Sequence, residues 1–295
     1  MTYFEHLFIL ICIYSILAVS LNLIIGFTGL LNLGHAAFFG IGAYASALVT
    51  LAGIPFIVAL LASIVLAGIF GFLVSVPCLR LRGDYLAIAT LGFGEIIRSV
   101  MKNWMSLTRG PLGIPGIPKA SLIVSFDTPL KFLLLSIVMA AFVYCFIARL
   151  VHSPFGRVLR AIREDEIAAK AIGKNTASYK TAAVVIGAGC AGIAGSLYAH
   201  YITFIDPTLF TLTETILIML MVVLGGTASL PGSIIGAVIL VLLPEPLRFL
   251  QLPSSIIAAV RQLIYAALLI VIVIFKPDGV LPETYTAAKN YGKNT

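Results

Sequence analysis

Charge is nearly absent from the first quarter of this chain. No Asp, Glu, Lys or Arg occurs between His6 and Leu79. Over all 295 residues only 11% are charged, while 60% are apolar. A soluble domain carries about 25% charged residues, so an ordinary soluble fold is excluded. A bilayer-crossing helix needs about 20 largely apolar residues, and the charge-free run alone has room for three. The apolar runs also lack the short alternation of an outer-membrane barrel. The fold class that follows is an all-α membrane protein, a polytopic bundle of about 8–9 transmembrane helices with glycine-broken or re-entrant segments.

Other absences narrow the function. The first residues lack a positive n-region, so the opening apolar stretch reads as a retained span rather than a cleavable signal. Cys12, Cys78, Cys145 and Cys190 are scattered with no C-x-x-C pair and read as small apolar packing residues. There is no G-x-x-x-x-G-K-[ST], no H-E-x-x-H and no G-x-S-x-G. The chain therefore has no phosphate cradle, zinc-peptidase site or nucleophile elbow of its own. If ATP drives it, the nucleotide is hydrolysed on a partner. The net charge of +7 lies beside the spans, where it sets orientation, and does not point to nucleic acid.

Apolar runs and their Gly, Pro and charge punctuation predict spans near 5–25, 33–52, 56–77, 84–101, 131–150, 181–203, 212–226, 233–249 and 257–275. Together, residues 1–280 form a single transmembrane domain, with 281–295 as a short tail. Segment 149–180 holds seven of the nineteen Lys and Arg residues, which assigns it to the cytoplasm. Arg80, Arg82, Lys276, Lys289 and Lys293 then also fall inside. The N-terminus lies outside and the C-terminus and tail are cytoplasmic. The outer loop near 102–130 carries Lys102, Arg109 and Lys119. It is either a long loop that escapes the charge rule or a basic patch facing a partner. Within it, "TRGPLGIPGIP" (108–118) excludes regular helix.

The cytoplasmic loop, about 151–180, contains "SPFGRVLRAIREDEIAAKAIGKN". Phe155, Val158, Leu159 and Ile162 share one helical face, with Arg157, Arg160 and Arg163 largely off it. Ile167, Ala168, Ala171 and Ile172 form a second apolar patch, and Gly173 is placed to stop the helix. A loop that only fixes topology needs positive charge but no apolar face. A loop that docks into another protein's groove needs both.

The stretch "GFTGLLNLGHAAFFGIGAY" (26–44) puts five glycines at membrane depth. Pairs such as Gly42/Ser46, and Gly187/Ala191/Gly195 further on, suit close helix packing. Spacing for packing explains less well why Asn22, Gly26, Gly29, Asn32, Gly34 and His35 cluster. Gly225 and Gly226 mark a similar break in "LGGTASLPGSIIGAVIL". These residues either pack or line a path, since non-helical backbone at this depth survives only where protein or water satisfies it. Glu95 and Arg98 sit three apart on one helix face as an intramembrane ion pair. They read as a functional pair or as a structural pair near the outer water. Glu214 reads as lying near a span end.

"SLNLIIGFTGLLNLGHAAFFGIGAY", "LRGDYLAIATLGFGEIIR", "GRVLRAIREDEIAAKAIGKN" and "GGTASLPGSIIGA" together resemble the permease subunits of branched-chain amino-acid ABC importers. The resemblance runs over about residues 15–280 and is nearer the LivM than the LivH type. It implies a bacterial or archaeal inner-membrane machine. Its other parts would be a second, LivH-like permease, two ATP-binding-cassette subunits that bind ATP and Mg, and an extracytoplasmic substrate-binding protein. No cofactor would reside in this chain.

Segment 153–175 would be the coupling segment, with Arg157, Arg160, Ala161, Glu164, Asp165, Ala168, Ala169 and Gly173 as candidate contacts to the ATPase. Arg160 and Asp165 are singled out for docking. Ala168-Ala169-x-x-x-Gly173 resembles the permease "EAA" motif, with Glu166 one position early. Relatives of this pattern also carry urea or short amides. An ion-coupled carrier would instead need a titratable group in mid-membrane. An intramembrane enzyme would need a cluster that His6, His35, His152 and His200 are too dispersed to supply.

Overall fold

The computed structural model describes residues 3–78, 84–120 and 128–245, together with 260, 262–268, 270, 274 and 279–281. Eleven helices are bounded within these: α1 (Tyr3–Thr28), α2 (His35–Leu51), α3 (Phe56–Cys78), α4 (Asp84–Asn103), α5 (Met105–Thr108), α6 (Pro129–His152), α7 (Pro154–Glu164), α8 (Glu166–Ala171), α9 (Thr176–Ile202), α10 (Leu212–Gly225) and α11 (Leu230–Leu242). Residues 262–268 are helical as well. Most of the expected span 257–275 lies outside the described residues. So do Arg80, Arg82, Lys276, Lys289 and Lys293, and the tail beyond Leu281.

By length and composition, α1, α3, α6, α9 and the stretch Pro207–Gly225 are apolar enough to cross a membrane. Helices α2 and α11 are apolar but shorter. With 13 residues, α11 reaches only about 20 Å against a hydrocarbon core of about 30 Å. Helix α4 is long enough, but Glu95, Arg98 and Lys102 make it more polar than its neighbours.

Helix α1 is the hub. Every residue from Ser15 to Thr28 is buried, and α6, α9, α10 and α11 all pack on it. Helix α3 shows why the sequence folds this way in lipid. Its buried face holds Ala59, Ser63, Ala67 and Gly71, four apart, while Leu61, Val65, Ile69 and Phe72 point outward. In lipid the large apolar side chains gain nothing by turning inward, and small ones let backbones touch. Helices α2, α3 and α9 meet in this manner. A Cβ at Gly42 would lie 2.4 Å from Gly192 Cα, so any side chain there forces the helices apart.

The described part of the loop after α4 is built rather than loose. After α5 comes a 3₁₀ turn at Gly110–Leu112 and then β1 (Ile114–Pro115), which pairs antiparallel with β2 (Phe204–Ile205). His200 Nδ1 lies 2.6 Å from Pro118 O. A carbonyl only accepts, so Nδ1 carries the proton there. On its other side, Nε2 meets Ser46 Oγ at 2.9 Å, tying the loop to α2 and α9.

Candidate functional site: two helix breaks and the α7–α8 helix pair

Two non-helical breaks interrupt the bundle, and intramembrane polar side chains satisfy the backbone they free. In the first, between α1 and α2, Thr28 Oγ1 accepts from Leu30 N, Thr90 Oγ1 from Leu33 N, Asn32 Oδ1 from Gly34 N, and Thr215 Oγ1 from Ala36 N. Gly29 has φ +72, and Gly34 immediately precedes α2. His35 opens α2, fully buried, with Nε2 2.9 Å from Ser20 Oγ. Ser20 gives its own proton to Leu17 O, so the His35 ring donates and its proton sits on Nε2.

The second break lies between α10 and α11. Gly225 closes α10, Gly226 follows with φ +118, and Ala228 takes φ +64. Asn22, fully buried on α1, clamps this turn. Its Nδ2 donates to Ser229 O at 2.9 Å and Ser233 Oγ at 2.6 Å, and its Oδ1 accepts from Ala228 N at 2.9 Å. All of the side-chain amide's strongest capacity is thereby spent on one turn. Gly26 allows the approach. A Cβ there would come within 1.9 Å of Asn22 Oδ1 and 2.5 Å of Ala228 N. From the other side, Val280 N and Leu281 N donate to Leu224 O and Gly225 O.

A narrow crevice opens beside the first break. Its walls are Leu33, Gly34, Ala36 and Ala37, then Leu91, Gly94 and Glu95 of α4, with Phe210, Thr211, Leu212 and Thr215. Arg98 Nε and Nη2 both donate to Glu95 Oε2, at 2.9 and 2.7 Å. Both side chains are about a third or more exposed. Glu95 lines the crevice at the first break. Glu214, in the first turn of α10, accepts from the Tyr14 hydroxyl, which lies well inside α1. This carboxylate is deeper than its place in the sequence indicates. A wider groove of about 680 Å³ between α3, α6 and α9 is lined by apolar residues such as Ile64, Phe72, Phe146 and Ile193, and it offers a polar solute nothing to bind.

The loop near 151–180 folds as two helices. Ser153 caps α7. Asp165 ends α7 and caps α8, accepting from Ile167 N and Ala168 N at 2.8 and 3.0 Å. Gly173, with φ +80, follows α8. Leu159, Ile162 and Ala169 are buried, whereas Arg157, Ala161, Glu164, Ala168 and Gly173 are exposed. Ile167 and Ile172 are about 70% exposed, the second apolar patch left bare.

Two devices fasten this pair to the spans. Glu166 pairs with Lys180 at 2.6 Å and Lys170 at 3.0 Å, and accepts from the Thr176 hydroxyl at 3.0 Å. Burial alone would push its carboxyl up; the two ammonium groups and the hydroxyl outweigh that and hold its pKa to about 2. On α7, the Arg160 guanidinium lies 5.3 Å above the Phe27 ring. Arg163 Nη1 donates to Gly26 O at 2.6 Å.

Over residues 3–273 the chain matches the family described as branched-chain amino acid transport system, permease component. It belongs to that family. It is 38% identical to the high-affinity branched-chain amino acid transport system permease protein LivM of Escherichia coli K12, over 92% of this chain and 68% of that protein. The probable LivM of Methanocaldococcus jannaschii is 28% identical, with 92% and 91% covered. The E. coli permease LivH is 27% identical, with 91% of each chain covered.

Within this permease, Asn22, Gly26, Gly225 and Gly226 converge on one turn. Asn32, Gly34 and His35 gather at the other break, where Glu95 also arrives. Gly29 opens the first break at the end of α1, beside the side chain of Arg163. Arg160 and Asp165 already have partners within the chain. Thr90, Thr215, Ser229 and Ser233 complete the breaks without any sequence motif to mark them. For Thr215, Ser229 and Ser233 the signal was a polar residue beside glycine or at a helix start; Thr90, in mid-α4, had none.

Proposed function

We propose that this multi-pass inner-membrane permease carries branched-chain or related amino acids inward, driven by ATP hydrolysis on two separate ATP-binding-cassette subunits. A second, LivH-like permease completes the path, and an extracytoplasmic binding protein delivers substrate. The N-terminus faces outward and the 151–180 loop faces the cytoplasm. This chain supplies no nucleophile, base or phosphate cradle; its part is to open and close a route. ATP and Mg²⁺ belong to the partners.

One observation carries the reading. The cytoplasmic helix pair is anchored on one side and bare on the other, with Ile167 and Ile172 exposed beside Arg157, Ala161, Glu164 and Ala168. Such a surface suits a protein groove with apolar and acidic features. Asp165 shapes it as a helix cap rather than as a direct contact. The solute passes beside the crevice at Gly34, Glu95 and Thr215, where broken helices present polar groups at depth.

The test is reconstitution of the complete assembly in proteoliposomes. Radiolabelled leucine uptake is expected to require both ATP and loaded binding protein. Leucine accumulation by this chain alone, on an ion gradient, refutes the assignment.

A further inference from the structure

A continuous line of contacts joins the cytoplasmic helix pair to the α10–α11 break. It starts at Arg163, whose Nη1 donates to Gly26 O at 2.6 Å. The carbonyls of the last turn of a helix have no partner within it, so the guanidinium completes the end of α1 and places a cation where the helix dipole favours one. One helical turn away on α7, Arg160 covers the Phe27 ring. The two arginines thus grip the same turn of α1. That turn bears directly on the break, because Gly26 leaves no room for a side chain between α1 and Ala228. Asn22, one turn earlier on α1, holds Ala228, Ser229 and Ser233 by hydrogen bonds.

We infer that Arg163 is a positioning residue for transport: it relays movement of the cytoplasmic helix pair through Gly26 and Asn22 to the α10–α11 break. This rests on the permease reading above, and adds to it the residue through which motor and route are joined. A guanidinium on a carbonyl suits the task, since a charge-assisted hydrogen bond is about twice as strong as a neutral one. Glycine on the far side removes any compressible side chain from the line. A pull on α7 therefore reaches Ala228 through backbone rather than through mobile rotamers.

The experiment uses the full assembly carrying Thr227→Cys as a thiol-accessibility reporter and Cys145→Ser to remove the exposed native thiol. Three quantities are read: ATPase subunits co-purified per permease, the ATP-dependent change in labelling at position 227, and leucine uptake. With Arg163→Gln, co-purification is expected to stay at the wild-type ratio, while the labelling change and the uptake both fall about tenfold. Arg163→Lys, which keeps a cation able to donate to Gly26 O, recovers a substantial part of both. Arg149→Gln, a change of an exposed charge in the last turn of α6 and outside the coupling segment, leaves all three unchanged.

The relay is overturned if Arg163→Gln retains the labelling change and uptake. It is equally overturned if the variant loses its ATPase subunits in proportion to transport, since the contact then serves docking or folding. A parental assembly whose labelling responds to ATP but which takes up no leucine or related amino acid refutes the substrate assignment and leaves the relay readable. No response to ATP in that assembly sinks both.

Discussion

Replacing Asn22 with Leu keeps the branched shape of the side chain and removes its polar groups. Three hydrogen bonds disappear, to Ser229 O, to Ser233 Oγ and from Ala228 N. Inside membrane proteins such bonds contribute about 0.6 kcal/mol each, or roughly 2 kcal/mol together. The losses are unequal. Ser229 O still accepts from Ser233 N and Oγ, and the Ser233 hydroxyl still donates. Ala228 N keeps no acceptor, and a buried orphan donor costs about 1–3 kcal/mol. Allowing for the bond counted twice, the expected destabilisation is about 2–4 kcal/mol. Reversible unfolding in mixed micelles measures it, with Asn22→Asp as a companion that keeps the acceptor for Ala228 N but loses both donors. Leu should also abolish uptake by the complete assembly even where the protein is still folded. An Asn22→Leu variant within 0.5 kcal/mol of the parent refutes the clamp.

Gly26→Ala is expected to be worse than an ordinary exchange in a helix, costing about 1–3 kcal/mol or more by overpacking. The nearest atoms include the Ala228 backbone, which has nowhere to go; micelle unfolding again measures it, and a neutral result refutes the close contact. The anchor at Glu166 gives a pH signature. Its carboxyl is depressed from the usual 4.5 to about 2, so the stabilisation is fully present above pH 4.5 and is lost as pH falls towards 2. The expected loss is on the order of 1–3 kcal/mol, reduced by solvent on the Lys170 side. A nitroxide on Ala171→Cys should show rising mobility through that window, and Glu166→Gln should remove the pH dependence.

The helical class, the positions of α1, α3, α6 and α9, and the helical character of the 153–175 segment were legible because each depends on a local pattern. Apolar length marks a span, and the Leu159 and Ile162 face with Gly173 marks α7 and α8. What the polar residues at depth do was not legible. Asn22 has no neighbour in sequence that reveals Ser229 or Ser233, more than two hundred positions away. The same holds for Arg163, whose acceptor is a backbone carbonyl, a group every residue has and no motif records. Glu95 reads in sequence only as one member of an ion pair near the outer water, and nothing in that reading shows that Thr90 and Gly94 bring its helix against Gly34. Asp165 drew notice as a charge when its geometry is that of a helix cap. Charge on a surface loop reads the same in sequence whether it meets another protein or its own backbone.

The pairing of Val280 and Leu281 with the carbonyls of Leu224 and Gly225 sets an order on biogenesis. Those carbonyls are threaded into the bilayer well before the segment that covers them has been translated. Closing so long a loop is slow compared with forming a helix. Until it closes, the nascent protein carries two thirsty acceptors at depth, a state that insertion machinery or a lipid headgroup must shelter. A chain halted before residue 280 should therefore insert its spans yet remain a target for membrane quality control.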